Sequence, residues 1–240
     1  MNATSEFRAE IAPAEPARIL VWDLPQRIVH WLMAASFAGA WLSAESERWR
    51  LLHVSLGYTL GGLVLFRLAW GLIGSRHARF ANFVRGPAAV RAYLGSLLRG
   101  SPEPHTGHNP AGALAIVGLL ALGGITVASG WANWNELGGD WLEAAHEAAA
   151  TAMLVLVGVH LAGVVASSWL HRENLPRAMI DGRKRGSRGQ ALQGSRRLVG
   201  AGVLLAVLGF WVWQYSLAPP APAAGGATAA STRQGDRDED

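Results

Sequence analysis

Four histidines stand in or at the edges of long apolar runs of this chain: His30, His53, His146 and His160. An ionisable side chain within a membrane helix is costly and marks a functional site by default. A single one is as readily a structural histidine bonded to a neighbouring helix, but four in matched positions point to ligation. His146 and His160 are 14 residues apart. On a helix that is about 21 Å along the axis and about 40° short of four turns. Both rings therefore face one way, one near each membrane surface. His53 opens the second apolar run and lies at the depth of His146. His30 opens the first and lies at the depth of His160. Paired imidazoles from opposite helices suit bis-histidine axial ligation of a non-covalent haem. The offset of about 20 Å would stack two haems across the bilayer as a route for electrons. A haem-free metal or proton transporter is the competing reading. Zinc takes three or four ligands at one depth, whereas this arrangement supplies two at each of two depths.

Side chains around these histidines have two readings each. His53, Gly57 and Gly61 follow i, i+4, i+8 on one helix face. Glycines there leave room for a flat porphyrin, or serve ordinary small-residue helix packing. Arg67, 14 residues after His53, reaches the depth of the His30 and His160 pair. It would bond a haem propionate or snorkel to the interface. His77, His105, His108 and His171 fall in connections or at a helix end and are poor candidates for haem ligation. His171 faces the same way as His160. A role in a quinone site, a propionate contact or proton uptake stands beside the plainer reading of a solvated loop residue.

The elements that must carry these residues are membrane helices. Of 240 residues half are hydrophobic and only 16% are charged, against about 25% in an ordinary soluble domain. The apolar residues cluster in five runs, Ile28–Ala44, Leu51–Ile73, Gly112–Gly130, Ala145–Leu170 and Leu198–Tyr215. Most reach the roughly 20 residues needed to cross a bilayer, the first being marginal. With no cysteine, disulfides, thiolate zinc, iron–sulfur clusters and thioether-linked haem are excluded.

The net charge is +4, the basic residues are almost all arginine, and their placement is topological. Arginines crowd the N-terminal tail, the connection between the second and third runs, and the connection between the fourth and fifth. The alternate connections, Glu45–Arg50 and Trp131–Glu143, are mixed or acidic. The positive-inside rule predicts a cytosolic N-terminus and a C-terminus outside. It leaves nucleic acid as no partner. Tryptophans fall near both ends of the runs, as an aromatic belt requires. Pro87 to Arg99 has helical apolar spacing and predicts a short amphipathic helix on the inner membrane surface.

With these residues placed, the chain resembles the bacterial cytochrome b561 and nickel–iron-hydrogenase b-type cytochrome family. The resemblance runs from about Val21 to Lys184. It rests on VWDLPQRIVHWL (Val21–Leu32), LHVSLGYTLGGLVLFRLAWGLIG (Leu51–Gly74), RFANFVRGP (Arg79–Pro87), GHNPAGALA (Gly107–Ala115) and the fourth run from His146 to Lys184. It implies a four-helix bundle holding two b haems, with the first-run histidine paired to the later histidine of the fourth run. It also implies electron transfer between membrane quinone and a partner: a hydrogenase-like complex, a c-type cytochrome or a small oxidant such as superoxide. An anchor and electron-conduit subunit without independent activity is the alternative.

The expectation is thus an all-α membrane protein of the cytoplasmic (inner) membrane. Residues 1–20 form a cytosolic tail, 21–184 a four-helix di-haem domain, 185–197 a basic connection, 198–215 a fifth membrane helix and 216–240 a disordered outer tail. His30 and His160 would hold the inner haem, and His53 and His146 the outer one, with lipid and quinone as membrane partners. Whether the chain forms a homo-oligomer is left open.

Overall fold

The computed structural model describes residues 17–100, 103 and 105–217. Most of the N-terminal tail, and all of the C-terminal tail beyond residue 217, lie outside the described residues.

Four long helices form the bundle: α1 (Leu24–Ser43), α2 (Arg50–Ile73), α5 (Pro110–Trp134) and α6 (Trp141–Leu170). The connection between α2 and α5 carries two short helices, α3 (Phe80–Phe83) and α4 (Pro87–Leu98). After α6 come α7 (Leu175–Asp181) and α8 (Arg197–Ser216). Four helical segments are long and apolar enough to cross a membrane: Glu47–Ile73, Pro110–Trp134, Trp141–Leu170 and Arg197–Ser216. Together they make this a multi-pass membrane protein. Helix α1 has 20 residues but carries Gln26, Arg27 and His30 in its first two turns, so its hydropathy falls below that of the other four.

The helix starts are written locally. Asp23 caps α1, its carboxylate accepting from the Gln26 amide at 3.0 Å, with Pro25 in the first turn. Asn109 caps α5 ahead of Pro110 in the same way, and Asn174 caps α7 ahead of Pro176. A short polar acceptor before a proline satisfies an amide that the helix leaves free.

Helices pack closely in two antiparallel pairs, α1 with α2 and α5 with α6, and α2 joins the pairs through α5. Midway along the bundle, Phe37 from α1, Leu60 and Val64 from α2, Leu120 from α5 and Met153 from α6 form one apolar core. A second cluster joins Val29, Leu63 and Val203 of α8. Gly200 of α8 lies against Leu24 and Ile28, where a Cβ would stand 3.0 Å from Leu24. From Leu208 onward α8 belongs to a separate unit, in which Trp211 and Tyr215 pair their rings.

One element was not legible in the sequence. Ala17–Leu20 (β1) pairs antiparallel with Arg183–Gly186 (β2), Leu20 opposite Arg183. The end of the expected tail and the start of the expected basic connection therefore form one small sheet. Its apolar underside packs Ile19, Val21, Trp22 and Ala178 together. Gly182 makes the turn at φ +79°, and a Cβ there would stand 2.6 Å from the Trp22 carbonyl. The Gly182 carbonyl in turn accepts from the Val21 and Trp22 amides.

The amphipathic helix expected over 87–99 is present as α4. Tyr93 and Ser96 are buried, while Leu94, Leu98 and Arg91 stay exposed.

Candidate haem-binding site

His53 enters from the first turn of α2 and His146 from the second turn of α6. Their ring centroids are 6.2 Å apart, with planes at 71°. The His53 Nδ1 lies 2.9 Å from the Ala40 carbonyl of α1. The His146 Nδ1 lies 2.9 Å from the Thr126 carbonyl of α5. A carbonyl only accepts, so each Nδ1 carries the proton and each Nε2 keeps its lone pair. Metal-ligating histidines are held in this way, by a second-nitrogen hydrogen bond that fixes tautomer and ring orientation. Two metal–imidazole bonds of about 2 Å each, added to the two ring radii, span about 6 Å between ring centres. At this spacing His53 and His146 would be the residues to hold a haem iron at this end of the bundle. Gly130 of α5 makes the position tenable, since a Cβ there would stand 2.8 Å from both Nδ1 and Cε1 of His146.

The other pair lies at the opposite end of the bundle. His30 of α1 and His160 of α6 are close enough for their charges to interact. The His30 ring stands edge-on to Trp31 at 5.1 Å. Its Nδ1 is buried with no protein partner. Arg67 also lies at this end. It is only 5% exposed, so it does not snorkel. Its Nη1 donates to the Ala78 carbonyl at 3.2 Å, and its guanidinium lies 4.9 Å from the Phe80 ring centre. The Nη2 is buried without a partner. A buried donor left over at this end of the bundle suits the carboxylate of a haem propionate.

The glycines separate. Gly57 faces open space, with nothing within 4 Å of where a Cβ would be. Gly61 lies against Val127, whose Cγ1 would be 2.8 Å from a Cβ, so helix packing accounts for its size. Among the described residues no three His, Cys, Asp or Glu side chains gather as a bare-metal site.

The model for prokaryotic cytochrome b561 matches residues 21–182. The chain belongs to the prokaryotic cytochrome b561 family. The family is one of b-type cytochromes, which implies haem b. This cytochrome is also 31% identical over 151 residues to the probable Ni/Fe-hydrogenase B-type cytochrome subunit of Azotobacter vinelandii, covering 51% of this chain and 62% of that protein. It is 31% identical over 155 residues to the protein of the same name from Azotobacter chroococcum mcd 1, covering 52% and 64%. The matches thus span less than two thirds of either relative. No solved structure matches.

Sequence reasoning missed three groups at the His30 end of this cytochrome. Asp23 is fully buried and accepts from the Trp70 indole at 3.1 Å. Its carboxylate also faces Arg27 and Arg67 electrostatically. The Asp–Leu–Pro start of α1 signals the cap, but not the tryptophan 47 residues away. His108, set aside as a connection residue, is packed between Trp22 and Phe83, each 4.5 Å away by ring centroid. Burial pushes its imidazole well below the ordinary histidine range, and the fields of Arg67, Lys184, His77 and His30 add to this. Lys184 sits beside Glu173 at 3.5 Å and donates to the His105 carbonyl. Burial lowers its ammonium pKa, against the opposing pull of Glu173. His77 and His171 are tied to the Gln190 and Ser167 carbonyls respectively.

Proposed function

We propose that this chain is a di-haem b-type cytochrome that carries electrons across a bacterial cytoplasmic membrane. His53 and His146 hold the haem nearer the outside, and His30 and His160 the haem nearer the cytosol. One observation carries the reading: the His53 and His146 ring centroids lie 6.2 Å apart, each ring with its Nδ1 tied to a backbone carbonyl. Haem supplies the one-electron chemistry when bound. The protein's part is to hold imidazole lone pairs in place, to offer Arg67 to a propionate and to exclude water with the Phe37–Leu60–Met153 core. Gly57 contributes open space on the ligand face of α2.

The arginine-rich connections face the cytosol in this reading, placing the N-terminus inside and the end of α8 outside. Residues 21–184 form the di-haem domain, and α8 is its fifth membrane helix. Quinone exchanges electrons at one face. A c-type cytochrome, a hydrogenase-like subunit or a small oxidant such as superoxide does so at the other. The names of the two relatives favour the hydrogenase-like partner, as an anchor and electron conduit within a larger complex.

A reduced-minus-oxidised spectrum of the purified protein, with a haem-to-protein ratio, tests the claim. Two b haems per chain are expected. No b-type alpha band would return the histidines to the transporter reading, and one haem per chain would break the assigned pairs. His53→Ala and His160→Ala should each remove a different haem.

A further inference from the structure

Where α2 ends and α8 begins, the chain frames a polar cavity of about 540 Å³. Ser75 and Arg76, just past the end of α2 at Ile73, line one side. Residues of the loop from Gly189 to Gly194, and Arg196 one position ahead of α8, line the other. The loop is pinned from elsewhere, its Leu192 amide donating to the Leu20 carbonyl at 2.8 Å.

The donors in this cavity lack acceptors. Ser75 is 7% exposed, and its buried Oγ has no partner among the described residues. A buried hydroxyl costs free energy unless something enters to bond it. Arg76 makes one long bond, from Nη1 to the Gly189 carbonyl at 3.4 Å. Arg196 lies over the Trp70 ring, 5.8 Å from its centre. Among the described residues neither guanidinium pairs with a carboxylate, and none of those lining the cavity is acidic. Each arginine carries five N–H donors in a planar fork, so most of them are left over. Two such forks and a hydroxyl, with no competing carboxylate, form a donor set for phosphate oxygens. The lack of a carboxylate also leaves nothing to receive the cation of a zwitterionic headgroup.

The surroundings identify where that phosphate comes from. Helices α2 and α8 are both long and apolar enough to cross a membrane, so their adjoining ends stand at the level of lipid headgroups. Leu72, Ile73 and Leu198, within three residues of Ser75 or Arg196, are exposed on those helices. Apolar surface therefore borders the basic cavity, which suits a diacyl lipid and is of no use to a free ion. We propose that the cavity holds the headgroup phosphate of an anionic phospholipid, with Ser75, Arg76 and Arg196 donating to its oxygens. The site shares no lining residue with the histidine pairs and does not depend on the di-haem reading.

Native mass spectrometry of the purified full chain, stripped of lipid in detergent and then titrated with lipid, tests this. One phosphatidylglycerol per chain should bind about tenfold more tightly than phosphatidylcholine, and Arg76→Gln or Arg196→Gln should each remove about that factor. Arg91→Gln deletes the same charge from the exposed face of α4 and should change nothing. Ser75→Ala should weaken retention while leaving the lipid-free melting temperature at or above wild type, because it deletes an unbonded buried hydroxyl. Equal binding of the two lipids, wild-type retention in both arginine variants, or an equal loss in Arg91→Gln overturns the proposal. So does a lower lipid-free melting temperature in Ser75→Ala, which would make that side chain structural. Inorganic phosphate that stabilises the chain as well as phosphatidylglycerol does, at equal concentration, overturns the assignment to lipid.

Discussion

The Trp70 indole donates to the Asp23 carboxylate across 3.1 Å, tying the C-terminal end of α2 to the cap of α1. The other oxygen of that carboxylate takes the Gln26 amide at 3.0 Å. One fully buried side chain thus starts the helix that carries His30 and fixes it to its neighbour. Asp23→Ala removes a helix cap, which costs about 1 kcal/mol, and strands the buried indole donor, which costs about 1–3 kcal/mol. Thermal unfolding in detergent should register a loss on the order of 2–4 kcal/mol. Asp23→Asn keeps an acceptor and a good cap, so it should lose less. A wild-type melting profile for Asp23→Ala would show that the contact holds nothing.

Gly130 presses on the His146 ring. A methyl group there would stand 2.8 Å from two of its atoms. Gly130→Ala should displace the ring, break its bond to the Thr126 carbonyl and deplete one haem while sparing the other. The check is the haem-to-protein ratio with the spectrum of the haem that remains. An unchanged ratio and spectrum would mean that α5 yields to the extra carbon.

Gly182 turns the chain into β2 with φ +79°. A side chain in that left-handed conformation costs about 1–2 kcal/mol, and here its Cβ would also crowd the Trp22 carbonyl. Gly182→Ala is expected to loosen the β1–β2 pairing, read as faster proteolysis near Arg183 and a lower unfolding temperature. Protection equal to wild type would count against the sheet as a brace for α1.

Burial holds the His108 imidazole well below its ordinary value, so the folded protein keeps it neutral where an unfolded chain would take up a proton. The unfolded state then binds more protons on the acid side of about pH 6.5. Stability contributed by the neutral ring is therefore present above that value and is lost progressively as pH falls. His108→Gln should flatten the acid limb of a stability-against-pH curve. An unchanged acid limb would place the acid sensitivity elsewhere.

The four histidines show how far a sequence reaches and where it stops. Residue spacing on α6 separates His146 from His160 by depth, because a helix converts numbering into height and angle. Hydropathy marks the long helices, because membrane burial writes itself as continuous apolar runs. Arg67 was half legible: its depth followed from its distance to His53, but snorkelling and burial differ by a choice of rotamer. Gly57 and Gly61 sit one turn apart on one face, yet one opens on space and the other packs on Val127. Only the neighbouring helix distinguishes them.

By itself the sequence determined which residues lie on membrane helices, at what relative depth, and that no thiol ligates a cofactor. Those properties are local and periodic, so they survive without knowledge of the partners. Tertiary structure alone decided that His53 and His146 donate to Ala40 and Thr126, that Asp23 meets Trp70, that His108 is sealed between Trp22 and Phe83, and that β1 finds β2. Each of those contacts joins residues at least a dozen positions apart. What selects them is how the helices and strands settle against one another, and no short-range pattern encodes that.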